Sequence, residues 1–456
     1  MRAHVEVDAT QELGPLELWR HGIGLGGINS LPLPDRVVDG ARQLQPRVIR
    51  IFIQEFFRIY PESGRFDWTR LDPYMEALAR TGARVMAAIA IKPSPLYPRV
   101  DQALWRPSDS SEWQHLIREL VRRYSVERPL VTHWEVGNEP DIGEDGGSPY
   151  LIRDGGDYAE YYAMTVEAVL QAFPGARVGG PAMAGLLNPP LPGFLRACRE
   201  RGLQLDFLSW HLYHSDPGRH AYLAQVARVL AADLPHSPEL MVTEWSTGFN
   251  PDFTEDRAFD PRRAAVVARS VIDMRRAGVD GSFYYHLWDQ VCFPSDFEPF
   301  FSPPGVTNML RHWNETPHRF GLFAVDGQAR AQYFVFQLLS RLGEVELPAT
   351  SDRPDVGVLA GRSGESIAIL LVNQGLEEAQ PGVVDVRFNG VRSGQHTVSA
   401  YRIDGDRRWD DAELTLAPVE RRTSWVEGEY LCRCELPANS VAMVCLEPAD
   451  MSDIGS

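Results

Sequence analysis

The chain is almost without lysine. Of its 45 basic residues, 44 are arginine and one, Lys92, is lysine. The two residues serve equally at most solvated positions, so the bias alone says little. A site that keeps an ammonium can be one where a compact, rotatable donor is wanted instead of a planar guanidinium. Cysteine is also scarce. Cys198, Cys292, Cys432, Cys434 and Cys445 form an odd, scattered set of five, which argues against a disulfide framework and suits a reducing compartment. Cys432 and Cys434 are two apart on an alternating segment and read as small buried thiols. No run approaches 18 apolar residues, and the N-terminus alternates charges without an apolar stretch. Neither a transmembrane helix nor a signal peptide is expected, so the cytoplasm is the expected location, with secretion the alternative if a leader has been removed.

Metal signatures are missing as well. There is no H-E-x-x-H and no paired Cys/His spacing, and Asp141-Ile142-Gly143-Glu144-Asp145 lacks the spacing of a calcium loop. No metal or cofactor is expected. The formal net charge of −17 would repel a phosphate backbone, so nucleic acid is a poor partner. The sequence leaves a homo-oligomer open.

What is present is 456 residues, 44% hydrophobic and 10% aromatic, enough for one large domain and a smaller one. Eight short β-rich runs, at 22–28, 48–53, 84–91, 131–136, 177–181, 207–212, 240–243 and 282–287, alternate with amphipathic helical stretches. Asp72-Pro73 reads as a cap and first-turn proline, and Asp109-x-x-Glu112 reads as a capping box. Eight alternating units predict an α/β fold, a (β/α)8 TIM barrel over 18–344. A doubly wound sheet would show a glycine-rich phosphate turn after its first strand. Gly22, Gly24, Gly26 and Gly27 lack that spacing and are expected to let the first strand pack closely. After Leu342 short alternating strands take over, at 357–359, 366–373, 383–388, 396–403, 429–435 and 441–446. They predict an accessory C-terminal β-sandwich over 345–450. Residues 1–17, with their own alternation, are expected to add a strand to it, and 451–456 to form a disordered tail.

Active residues of such a barrel cluster at the C-terminal ends of its strands. Strand four ends in Gly137-Asn138-Glu139-Pro140 and strand seven in Thr243-Glu244-Trp245, so each carries a carboxylate into the mouth. Two facing carboxylates are what hydrolysis of a glycosidic bond needs: one protonated to donate to the leaving oxygen, one ionised to attack. Glu135, of the same strand parity as Glu139, reads as a buried partner for an arginine.

Strand-four Asn-Glu-Pro with strand-seven Thr-Glu-Trp resembles clan A of the glycoside hydrolases. The fuller pattern is similar to family 39, which includes β-xylosidases and α-iduronidases. Val178-Gly179-Gly180-Pro181, the run from Asp206 to Tyr213, the run from Phe283 to Trp288, Phe320-Gly321-Leu322 and the closing Leu436-Pro437-Ala438-Asn439-Ser440-Val441 carry the likeness. The resemblance implies a retaining, exo-acting enzyme on an oligosaccharide or glycoside, β-xylosidase-like. It implies Glu139 as acid/base, Glu244 as nucleophile, and Asn138 on the sugar 2-hydroxyl. Tyr213 would steady Glu244, His211 would line the same wall, Trp288 would floor the sugar, and Arg50 would keep Glu244 ionised. Gln54 completes the expected substrate side. Phe52 stands where the family often has histidine, and Lys92 falls on strand three where it often has glutamate. The latter position suggests Lys92 as a donor to a sugar hydroxyl or carboxylate. Of the aromatics between Asp289 and Asp326, one or two are expected to touch substrate, the rest to form the loop's own core. Two alternatives remain: the same chemistry on another sugar (a galactosidase, arabinofuranosidase or uronic-acid glycosidase), or a non-catalytic sugar-binding barrel.

Overall fold

The computed structural model describes residues 2–248, 261–375, 379–406 and 408–449. Eight parallel strands close into a barrel: β1 (His21–Leu25), β2 (Val48–Gln54), β3 (Arg84–Ala90), β4 (Val131–Val136), β5 (Arg177–Met183), β6 (Phe207–Tyr213), β7 (Glu239–Ser246) and β8 (Gly281–Tyr285). β8 pairs with β1 to complete the circle.

Period-two alternation sorts each strand between two environments. On β2, Ile49, Ile51 and Ile53 join the core shared with the helices. Val48, Arg50 and Phe52 have the opposite parity. Val48 packs in a bottom plug with Met86, Phe207, Met241 and Phe283. Phe52 packs in an upper layer with Ala88, Tyr285 and Phe320. Arg50 lies between these apolar layers, fully buried. The barrel therefore sandwiches a charged layer between two apolar ones, and that layer underlies the site.

The helices around it follow their sequence signals. Ser110–Val121 starts at Asp109, whose carboxylate accepts from the N–H groups of Ser111 and Glu112 at 2.8 and 3.0 Å, and it buries Trp113, Leu116, Ile117, Leu120 and Val121. Leu71–Ala79 differs from expectation. Asp72 is not its cap but lies in its first turn, where its carboxylate receives Arg123 and Tyr124. Those charge-assisted bonds to a neighbouring helical segment outcompete local capping.

Beyond the barrel the chain forms a nine-stranded sheet. Arg2–Asp8 belongs to it, running parallel to the strand Gly382–Ile403 with Arg2 opposite Val383 and antiparallel to Ala349–Ser351. The expected strands 383–388 and 396–403 are one continuous strand, Gly382–Ile403, with register shifts between Asn389 and Gly394. Gly390, at φ +74, lets it turn without ending. The expected 429–435 strand is likewise the end of a longer one, Pro418–Leu436. Strand Ser366–Asn373 is almost wholly apolar because both faces are covered. Ile367, Ile369 and Leu371 enter the sheet's own core, whereas Ala368, Leu370 and Val372 pack into the core of the barrel helices. The five cysteines are buried and free. No helix among the described residues is long and apolar enough to cross a membrane. Residues 450–456, the end of the expected sandwich and its tail, lie outside the described residues.

Candidate active site

The chain leaves β4 through Gly137 and Glu139, both at positive φ, +91° and +44°. The Glu139 N–H donates to the Ala182 carbonyl of β5 at 2.8 Å, which holds this uncommon backbone in place. Glu244 lies on β7 beside His211 of β6 in the strand register. Both glutamates are buried, each 7% exposed. Ligand atoms of Glu139, His211 and Glu244 all lie within 4.8 Å of one another.

Their partners differ. Glu244 Oε2 accepts from Arg50 Nη1 at 3.0 Å, and Oε1 accepts from the Tyr213 hydroxyl. Arg50 also donates from Nε to Glu135 at 2.7 Å and from Nη2 to Asn138 Oδ1 at 2.8 Å. Glu139 shares a hydrogen bond of 2.8 Å with His211 Nδ1. Burial, and then the charge of Glu244, push Glu139 well above the ordinary carboxylate range. Burial raises Glu244 above the ordinary range too, but less far, because Arg50 and the Tyr213 hydroxyl oppose it. Burial, with Arg50 nearby, holds His211 far below its usual value and hence neutral. The pair is thus unequal, with Glu139 the one that holds its proton more firmly.

A cavity of about 480 Å³ opens over the pair. Asn138, Glu139, Tyr213 and Glu244 line it, together with Phe52, Tyr285, Asp145, Gly146, His312 and Trp313. Gly146 sits so close to Glu139 that a Cβ there would collide with its carboxylate.

Arg50 stands beside Glu244; fully buried beneath the pair, it also braces Glu135 and Asn138 and does not reach the cavity. Four sequence expectations need correction. His211 is fully buried and bonds Glu139 instead of lining the wall. Gln54 lies off the cavity, its amide donating to the Gly147 carbonyl at 2.6 Å. Lys92 also lies off it, because the loop after β4 folds over its ammonium, which donates to the carbonyls of Asp101 and Pro149. Trp288 packs in the helix-side core, its indole N–H 3.3 Å from the Val325 carbonyl. The aromatic lining of the cavity comes from Tyr285 and Trp313 instead, with Phe52 and Tyr213.

Tyr285 was legible in principle. Phe283 and Tyr285 share the barrel-facing parity of β8, and Trp288 does not. Trp313 is among the loop aromatics already singled out. Gly146, Asp145 and His312 carry no sequence signal of their own, since their places depend on how long loops cross the mouth.

A parallel barrel with paired carboxylates at the ends of β4 and β7, over one bounded cavity, belongs to the class of two-carboxylate (β/α)8 proteins. The comparisons narrow this. The model of glycosyl hydrolases family 39 matches residues 4–408, and the chain belongs to that family. It is similar to a β-xylosidase from Geobacillus stearothermophilus, 26% identical over 336 residues, which are 66% of this chain and 61% of that relative. The match thus spans less than two thirds of the relative's length. Among solved structures, a glucosidase from Croceicoccus marinus shares the fold with a TM-score of 0.75 at 19% identity, over 99% of this chain and 100% of that one. A monomeric β-xylosidase from Caulobacter crescentus CB15 does so with a TM-score of 0.75 at 20% identity, over 98% of this chain and 100% of that one.

Proposed function

We propose that this chain is a retaining glycosidase that removes a terminal sugar from a short oligosaccharide or glycoside. The observation that carries the reading is the pair of buried carboxylates with acceptor atoms within 4.8 Å and unequal partners. The spacing suits attack by one carboxylate; an inverting enzyme separates its pair by about 6.5–9.5 Å to admit a water. Glu244, held ionised by Arg50 and Tyr213, attacks the anomeric carbon as Glu139 gives its proton to the leaving oxygen. A covalent glycosyl-enzyme forms. Glu139, now anionic, takes a proton from water, which displaces Glu244 and regenerates both groups. Asn138, its Oδ1 held by Arg50, offers its amide to the sugar's 2-hydroxyl.

The named relatives support a β-xylosidase-like specificity, and the bounded cavity supports exo action. A cytoplasmic setting suits the free cysteines. A different sugar remains a second reading because Phe52 puts an apolar ring on the wall where the family often offers a histidine. The test is hydrolysis of a panel of aryl glycosides, with anomeric product followed by NMR. Glu244→Ala is expected to abolish turnover. Glu139→Ala is expected to lose about 10²–10⁴-fold on poor leaving groups, far less on dinitrophenyl glycosides, and to recover with azide. Inverted product, or an active Glu244→Ala, refutes the mechanism. The best sugar in the panel decides between the two specificities.

A further inference from the structure

We propose that Lys92, the one lysine in the chain, is a positioning residue that clamps the loop 143–149 against Glu139. The inference rests on the reading of Glu139 as the acid/base group.

Lys92 follows the end of β3 and is 3% exposed. Its Nζ donates to the Asp101 carbonyl at 2.7 Å and to the Pro149 carbonyl at 2.9 Å. The ammonium also lies 5.5 Å from the ring centre of Tyr97 and 5.0 Å from that of Tyr150. A cation between two carbonyls and two ring faces draws together two loops whose carbonyl dipoles would otherwise oppose each other. The joint is reinforced on both sides. Gln102, next to Asp101, accepts from the Glu144 N–H through Oε1 at 3.0 Å and from the Leu151 N–H through its carbonyl at 2.7 Å.

The clamped loop reaches the reacting carboxyl directly. Gly146 abuts Glu139, its carbonyl accepts from Asn138 Nδ2 at 3.4 Å, and Gln54 holds the Gly147 carbonyl at 2.6 Å. A shift of this loop therefore moves the wall that sets where the Glu139 carboxyl points. Arginine replaces lysine everywhere else in the chain. Here the compact ammonium, on its flexible four-carbon stem, reaches both carbonyls from within a fully packed joint, where the larger guanidinium would need more room. The chain retains this group although burial brings its pKa down to about 8. The groups that face it are Asp101 and Glu144, which favour the charge, the tyrosines 97 and 150, and Glu55, whose carboxylate accepts the Lys92 backbone N–H at 2.9 Å.

The experiment is a leaving-group comparison on folded Lys92→Met, with thermal unfolding and circular dichroism as fold checks. Misplacement of Glu139 slows only the step that needs its proton. kcat/KM on alkyl or other poor leaving groups is expected to fall about 10- to 100-fold. Dinitrophenyl glycosides, which need no proton, should stay within about threefold of wild type. Equal losses on both substrates, or none on either, overturn the proposal. Should Lys92→Met fail to fold, Gln102→Ala loosens the same joint from a half-buried position and must show the same split, smaller in size. Its absence there overturns the proposal too. Glu139→Ala is the control: if it shows no split, the reading of Glu139 has failed, and not the role of Lys92.

Discussion

Replacing Tyr213 by phenylalanine removes one oxygen and little else. The ring keeps its packing against Phe320, at a centroid distance of 5.5 Å. What disappears is the hydroxyl that donates to Glu244 Oε1. A hydrogen bond to a charged group is worth about 1.5–3 kcal/mol. Its loss therefore raises the pKa of Glu244 further. The sign follows from which form the bond favours. The hydroxyl stabilises the ionised carboxylate, so its loss makes Glu244 easier to protonate. The acid limb of kcat/KM then moves to higher pH. Arg50 remains, at 3.0 Å, so the nucleophile is weakened and not lost. If the same interaction energy is lost from the transition state, activity at the optimum falls about 10- to 100-fold. The assay is kcat/KM across pH 4–9 on the best aryl glycoside, with the unfolding midpoint measured alongside. An acid limb that stays in place while the fold is intact would refute the assignment of Tyr213 to Glu244.

Two further perturbations address the support of the site and its pH range. Gly146→Ala places a methyl where the Glu139 carboxylate lies, so proton donation should suffer. Turnover of poor leaving groups should fall at least tenfold or so while the protein stays folded, and near-wild-type kinetics would contradict the close approach. His220 is fully buried against Trp245, both ring nitrogens are without a hydrogen-bond partner among the described residues, and burial lowers its pKa to about 3. Between about pH 3 and 6.5 the unfolded chain binds a proton there that the fold refuses, so stability from this residue rises with pH across that window and is lost on acidification. His220→Phe removes the effect and should shrink the stability difference between pH 7 and pH 5 by about 2 kcal/mol in urea unfolding. An unchanged difference would show that His220 does not titrate as its burial requires.

Strand ends were legible because two local rules coincide there. A β-rich run ends where turn residues begin, and a carboxylate at that point has no apolar partner to explain it. Glu139 and Glu244 satisfied both conditions from sequence, and they line one cavity. Arg50 was legible as a cation near the pair, yet its role as a buried brace between Glu135, Asn138 and Glu244 needed three strands brought together. Trp288 misled because the end of β8 was placed too late. A shift of the last strand residue decides which aromatic faces the barrel, and parity pointed to Tyr285. The long strand Gly382–Ile403 was divided in sequence because a turn signal and a bend signal use the same residues.

Lys92 shows the boundary most clearly. Composition marked it as exceptional, and strand periodicity brought it to the mouth of the barrel. Neither could say which way four methylenes would run. Direction depends on where the loop 143–149 crosses, and that loop is held by contacts with residues far away in sequence, such as the link from Glu144 to Ser302. The sequence by itself determined the alternation of strands and helices, the apolar runs that need cover on both faces, and the two carboxylates delivered to one rim. These are properties of single segments, fixed by periodicity and by the chemistry of side chains at segment ends. Only the tertiary structure decided which groups surround each carboxyl, which aromatics wall the cavity, and that the lone ammonium faces backbone instead of solvent. Those depend on burial and on distances between segments remote in sequence, and no local pattern encodes either.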